Sequence, residues 1–377
     1  LVASVLAALV LSACVNLPRQ AFTAGEQARA TPVGFNSVRW IDGDPALAES
    51  LRQTLTPGAG GILNVIALSG GGANGAFGAG LMSEWSKTGG RPEFQLVTGV
   101  SVGGLSAPFV FLGRTWDEKL TAAYFDGRLQ HLLQSRGPLG IFTPGLYSKR
   151  RLKALVKGYV TDELITQVAA EHAKGRRLLV ATTDLDTEDL VIWDMGAIAT
   201  HGGPAARKLF ADVLVASASV PVIFAPSLIA VQSGTSVFNE LHVDGQAENA
   251  FYGIPQTLLL GQGTSAAPYK VKFYVIVNGS LDSTFQITPR STIPLALRTY
   301  DATNKASLRL LTIANAEFCH AYGCDFYVAA LPRTVVDDPL DFSPTHIQAL
   351  FDAGKAAIDR GDAWRSSPQT SDGIIFH

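Results

Sequence analysis

The chain is 377 residues long, enough for one large domain or two modest ones, with a substantial buried core in either case. A formal net charge of −2, with 16% of residues charged, gives no electrostatic case for a nucleic-acid partner. No repeat of the solenoid or propeller kind runs through it.

Leu1–Val10 is an apolar run too short to span a bilayer and suited to the hydrophobic region of a signal peptide. It leads into Leu11-Ser12-Ala13-Cys14, which resembles a bacterial lipobox. The resemblance implies that Cys14 becomes the first mature residue and carries lipid. Val15, where an acidic residue could stand, resembles the outer-membrane sorting pattern, so the expected location is the cell envelope, lipid-anchored to the outer membrane. Residues 15–61, polar with Pro and Gly, read as a tether. Residues 62–361 read as the folded body and 362–377 as a tail.

Ile62–Leu68 is a short apolar run of β-formers and predicts a buried strand. It runs into Gly70-Gly71-Gly72 and then a stretch of helical character. Gln95–Gly99 is the next strand, followed by a sharp turn at Ser101 and a helix of small and apolar residues. Strands are expected at Arg177–Thr183, Val191–Asp194, Phe238–Val243 and Val271–Val277, and helices at Pro204–Ser217, Ile293–Phe318 and Phe342–Arg360. Val213–Val231 is long enough for a membrane span, but Pro221, Pro226 and three serines make it a helix end, a turn and a buried strand. The alternation implies an α/β fold, a three-layer sandwich with a mostly parallel central sheet covered on both faces. Ligands in such sheets sit at the carboxyl ends of strands.

Gly99-Val100-Ser101-Val102-Gly103 sets a serine between two glycines at a strand end. That spacing fits a tight strand-to-helix turn, which pushes the hydroxyl outwards as a nucleophile requires. Acyl transfer also needs a base and donors for the oxyanion. Gly70, Gly71 and Gly72, at a helix N-terminus, offer backbone N–H groups for the second purpose. No G-K-[ST] follows them, so a nucleotide cradle is the lesser reading. Asp244 is placed to be the base, with a pKa raised beside an apolar pocket; it also reads as a turn former before Gly245. His242, two residues earlier on the same strand face, is the rival base. A triad in α/β-hydrolase order would instead need His320, His346 or His377. Cys319 and Cys324, spaced C-x4-C, fit a disulfide in an exported protein. With His320 they supply three metal ligands only, and no metal site is expected.

SGGGANGAFGAG, GVSVGG, TTDLDT, ASASVPVIFAP and VDGQ, in this order, resemble the patatin-like phospholipase family over roughly Asn64 to Phe251, with looser similarity to about Gly361. The resemblance implies a Ser–Asp dyad without a catalytic histidine, Ser101 as nucleophile, Asp244 as base and Gly70, Gly71 and Gly72 as the oxyanion loop. Asn74, Gly75, Gly99, Gly103 and Gly245 stand at supporting motif positions. It implies release of fatty acids from phospholipids, lysophospholipids or neutral lipids, a chemistry that needs no cofactor; the membrane surface is the expected partner through a lipidated Cys14. Two departures stand out. Asn74 occupies a place where the family usually carries Arg or Lys, and Gln246 one where it carries Gly or Ala. ASASVPVIFAP is expected to serve close packing. Gly127–Tyr159, mixing Leu, Phe and Tyr with KRRLK, reads as a solvated helix and loop or as a lid with basic residues facing headgroups. Two other functions stay open: a Ser-His-Asp carboxylesterase acting on small esters, and a catalytically silent envelope lipoprotein that binds lipid or a partner.

Overall fold

A computed structural model describes residues 19–133, 144–255 and 269–366. Its strands are β1 (Thr31–Pro32), β2 (Arg39–Ile41), β3 (Ile62–Leu68), β4 (Leu96–Val100), β5 (Arg177–Asp184), β6 (Asp189–Asp194), β7 (Ser227–Ser233), β8 (Ser236–Asp244), β9 (Lys270–Val277) and β10 (Asp325–Ala330). The helices are α1 (Ala24–Gln27), α2 (Pro45–Thr54), α3 (Gly75–Lys87), α4 (Val102–Leu112), α5 (Asp117–Phe125), α6 (Arg150–Tyr159), α7 (Asp162–Ala173), α8 (Met195–Thr200), α9 (Gly203–Ser217), α10 (Thr292–Tyr322) and α11 (Pro344–Arg360). Their ends follow local chemistry. Asp44 and Ser343 cap α2 and α11, each followed by a proline whose missing N–H costs nothing at a first helical position, and Gly323 and Gly361 close α10 and α11 in the left-handed region.

The fold is α/β. Its centre is the parallel run β10-β9-β3-β4-β5. Alternation along these strands feeds two cores. In β3, Ile66 and Leu68 face a layer holding α3 to α9 and α11, while Leu63, Val65 and Ala67 face α2 and α10. Among the described residues no helix is long and apolar enough to cross a membrane. Val213 to Ser217 end α9, and β7 begins at Ser227.

Beyond β5 the sheet stops being parallel. β6 pairs antiparallel with Leu179–Asp184 and so occupies one edge of β5 over that length. On the other edge, β4 pairs with Arg177 to Ala181 and β8 pairs antiparallel with Thr182 to Asp184. β4 and β8 therefore share an edge and meet end to end, Val100 opposite Ala181 and Asp244 opposite Thr182. β7 and β1 extend the antiparallel part, and β2 extends β6. The sheet is thus mostly parallel, as expected, and the strand carrying Asp244 belongs to its antiparallel part; an alternating pattern shows which residues face a core but not which way the strand runs.

Residues 15–61 are not a tether over their described part. Arg19 donates to Asp186 Oδ1 at 2.9 Å and to the Asn239 carbonyl, Phe22 stacks on Phe238 at 4.3 Å, β1 and β2 join the sheet, and Leu47 and Leu51 are buried. The expected tail also begins later than residue 362, because Arg365 pairs with Val328 and Trp364 packs on Trp85 and Tyr274. Cys319 and Cys324 are joined by a disulfide at the end of α10. Cys14 and His377 lie outside the described residues.

Candidate active site

Ser101 is the hinge between β4 and α4, with φ +56° and ψ −127°, a conformation that L residues rarely adopt. Glycines make this turn possible by close approach. A Cβ on Gly103 would press into the carbonyl oxygens of Leu68 and Ser69, and one on Gly99 into the backbone of Gly103 and Gly104. The Ser101 N–H donates to Ser217 Oγ at 3.0 Å, and its carbonyl accepts from Leu105 N in the first turn of α4.

Asp244 arrives from the opposite direction as the last residue of β8 and is completely buried. Its Oδ1 accepts from Gln246 N at 2.9 Å, while Oδ2 is buried without a hydrogen-bond partner. Burial pushes this carboxyl up to about 7, and the Ser101 hydroxyl and the Gln246 amide offset that rise only in part. The Asp244 N–H donates to the Ser219 carbonyl at 3.0 Å, and Thr183 Oγ1 donates to the Asp244 carbonyl at 3.1 Å. The ASAS segment thus holds both residues, Ser101 through Ser217 and Asp244 through Ser219. Its role exceeds the close packing expected of it, and two serines at alternate positions were the available signal.

His242 is not beside this pair. Its Nδ1 lies 3.0 Å from Thr182 Oγ1 and its Nε2 3.0 Å from Glu240 Oε2, so both ring nitrogens are engaged. His320 is exposed on α10, and His346 Nε2 contacts the Asp338 carbonyl at 3.2 Å. Asp184, Glu240 and His242 converge closely enough to suggest a cation site. Arg39 already fills that role: it bonds both Glu240 oxygens, and Gln27 donates to Asp184 Oδ2 at 2.6 Å and to Glu240 Oε1 at 2.9 Å. Burial raises the Glu240 pKa, but the hydrogen bonds from Arg39 and His242 outweigh it and hold the group down at about 2.

The three loop glycines are not equivalent. The Gly70 N–H donates to the Ala250 carbonyl at 3.2 Å, and a Cβ there would overlap the Gln246 side chain, so the unusual Gln246 joins the Asp244 turn to the loop. Gly71 (φ +148°) and Gly72 (φ +54°) have N–H groups with no acceptor among the described residues. A Cβ on Gly71 would sit inside the Asn278 carbonyl, and one on Gly72 inside the Pro339 carbonyl. Gly75 abuts Tyr124 Oη and Val102, and Gly245 abuts the Ala181 carbonyl.

Residues 331–343, between β10 and α11, hold this loop from outside. The Pro339 carbonyl accepts from Ala73 N at 2.9 Å, and Asp337 Oδ1 accepts from Asn74 Nδ2 at 2.6 Å. Asp337 Oδ2 faces Lys305 Nζ of α10 at 3.0 Å, so the positive charge missing at Asn74 stands one carboxylate away. Nothing in the sequence pattern pointed to Asp337 or Lys305.

Ser101 and Gly72 open into a pocket lined almost wholly by apolar groups, among them Leu105, Phe109, Leu155, Leu214 and Leu340. The described parts of the expected lid segment form its wall: α6 contributes Leu152, Leu155, Val156 and Tyr159. Residues 134–143 of that segment lie outside the described residues.

Residues 66–251 match the family model described as patatin-like phospholipase. No curated protein matches the chain. Among solved structures, VipD from Legionella pneumophila aligns over 80% of this chain and 67% of its own, at 11% identity and a TM-score of 0.36. The type III effector ExoU of Pseudomonas aeruginosa aligns over 83% of this chain and 56% of its own, at 10% identity and a TM-score of 0.31. This chain thus spans little more than half the length of the ExoU chain it matches.

Proposed function

We propose, for a chain that belongs through residues 66–251 to the patatin-like phospholipase family, that it is a serine acylhydrolase releasing fatty acids from lipid esters. The observation that carries this reading is the end-to-end meeting of β4 and β8, which sets Ser101 beside a buried carboxylate whose Oδ2 has no other partner. Ser101 Oγ attacks the acyl carbonyl as Asp244 takes its proton. The oxyanion that forms is received by the Gly71 and Gly72 N–H groups, since the Gly70 N–H is committed elsewhere. Asp244 returns the proton to the leaving alcohol and then activates the water that frees the acid. The apolar pocket suits an acyl chain, and its scarcity of polar groups gives a small polar ester little to bind. Lipid attachment at Cys14 in the cell envelope is part of this reading.

The test is covalent labelling with a fluorophosphonate, read beside fatty-acid release from mixed phospholipid and monoacyl micelles. Wild type should show both, and Ser101→Ala neither. A folded wild type that takes no label and releases no acid would point instead to a silent lipid-binding protein.

The loop clamp gives a second expectation. Asp337→Ala frees Asn74 and should lower kcat about 10–100-fold with KM within about threefold, because the misplaced donors serve the transition state more than the bound ester. Asp337→Asn, which keeps an accepting oxygen, should retain most activity. Equal kcat for wild type and Asp337→Ala would remove the clamp from the mechanism.

A further inference from the structure

Lys149–Tyr159 contains Lys149, Arg150, Arg151, Lys153 and Lys157 and no acidic residue, in a chain whose net charge is −2. Lys149 is buried and donates to Ser227 Oγ at 2.8 Å, and Arg151 donates to the His131 carbonyl. Burial, and then the neighbouring Lys153, push Lys149 down to about 7. The other three are exposed, and no described residue forms an ion pair with them. Arg150, Lys153 and Lys157 recur at helical spacing, so they form one stripe along about 10 Å of α6. The opposite face of the same helix, Leu152, Leu155, Val156 and Tyr159, is the wall of the acyl pocket. One helix therefore separates the pocket that holds Ser101 from a stripe of unpaired positive charge.

We propose that this stripe docks the protein on an anionic lipid surface and so holds the pocket close to the bilayer, one helix away from it. The inference rests on the acylhydrolase reading for its purpose but not for its physics. Unpaired cations spaced along a helix are attracted to a surface of anionic headgroups, and the attraction fades beyond a Debye length as salt rises. The polar face of α6 has no apolar side chain large enough to insert, since Ala154 and Gly158 are its other exposed positions. Docking is accordingly electrostatic and reversible, with the helix lying on the surface.

The experiment compares the full chain with its R150Q/K153Q/K157Q variant and with K153Q alone. The probes are vesicles of phosphatidylcholine, with or without about one-third phosphatidylglycerol, at low and high salt. Partitioning of wild type onto the anionic vesicles should exceed that of the triple variant by about a hundredfold at low salt and by much less at high salt. K153Q should fall between them, and on neutral vesicles all three should coincide. Turnover of a water-soluble short-chain ester should be equal in all three, because the stripe faces away from the pocket. Equal partitioning of wild type and triple variant on anionic vesicles overturns the proposal. So does stripe-dependent binding to poly-glutamate without any to vesicles, which assigns the face to an acidic protein. Stripe-dependent vesicle binding without fatty-acid release leaves docking standing and removes the acylhydrolase reading. Fatty-acid release that ignores the stripe and the headgroup charge does the reverse.

Discussion

Asp244→Asn is expected to lower fatty-acid release by up to about 10⁴-fold and, at pH 8, to make the protein more stable. The two effects have one origin. Asp244 is buried with Oδ2 unpartnered, and its folded pKa of about 7 stands well above the ordinary value of 3.8. For a carboxyl raised in this way, the stabilising contribution of the bound proton is complete below about pH 4 and is lost as pH rises through about 7. Wild type should therefore lose stability across that window, and the amide variant should not. Their difference should grow from near zero at pH 4 to at most about 4 kcal/mol at pH 8. The same ionisation is what activity needs, because only the carboxylate can take the Ser101 proton. Wild-type kcat/KM should accordingly climb with pH to a plateau, with an apparent pKa near 7. Denaturant titrations of both proteins at pH 5 and 8, beside the pH–rate profile, check all three statements. A stability difference that does not change with pH, or a flat rate profile, would falsify the assignment of Asp244 as base.

What could be read from the sequence was whatever a backbone contact imposes locally. Gly99, Gly103, Gly71 and Gly72 are glycines because a carbonyl or a backbone segment stands where a Cβ would go, and such positions show in any single chain. The strand and helix runs that feed the two cores were legible for a similar reason, their periodicity being a property of neighbours in sequence. Pairing direction is not. That Asp244 reaches Ser101 by running against β4 rather than beside it depends on which edge of β5 remains free, which no stretch of β8 encodes. Asp337 was equally hidden, lying 263 residues from Asn74 in a segment without periodicity. β1, two residues long with a proline at its edge, offered no strand signal, and the polar stretch around it looked like a tether.

That N-terminal stretch makes the other large expectation. Arg39, on β2, is the cation that both Glu240 oxygens bind, and Glu240 is completely buried. Arg39→Met leaves that carboxylate unpaired in the core and should destabilise the protein by roughly 3–5 kcal/mol at pH 7.5. Glu240→Gln added to the same chain should recover most of the loss, because a neutral amide needs no counter-charge and Gln27 still donates to it. The sign with pH is opposite to that at Asp244. In wild type the Glu240 pKa is held down at about 2, so its contribution is present above the ordinary carboxylate range and is lost as pH falls through about 2. Without Arg39 the group titrates upwards, and the deficit of Arg39→Met should narrow as pH falls towards 5. Denaturant unfolding of wild type, Arg39→Met and the double variant at pH 7.5 and 5 measures each quantity. Arg39→Met unfolding within about 1 kcal/mol of wild type at pH 7.5 would mean that Gln27 and His242 alone suffice to hold the Glu240 carboxylate in the core. The predicted outcome carries a functional corollary. Glu240, His242 and Asp244 alternate along one face of β8, so a strand loosened at Glu240 also loosens the end that meets Ser101. Arg39→Met should then lose kcat even at temperatures where it remains folded, and the double variant should regain it.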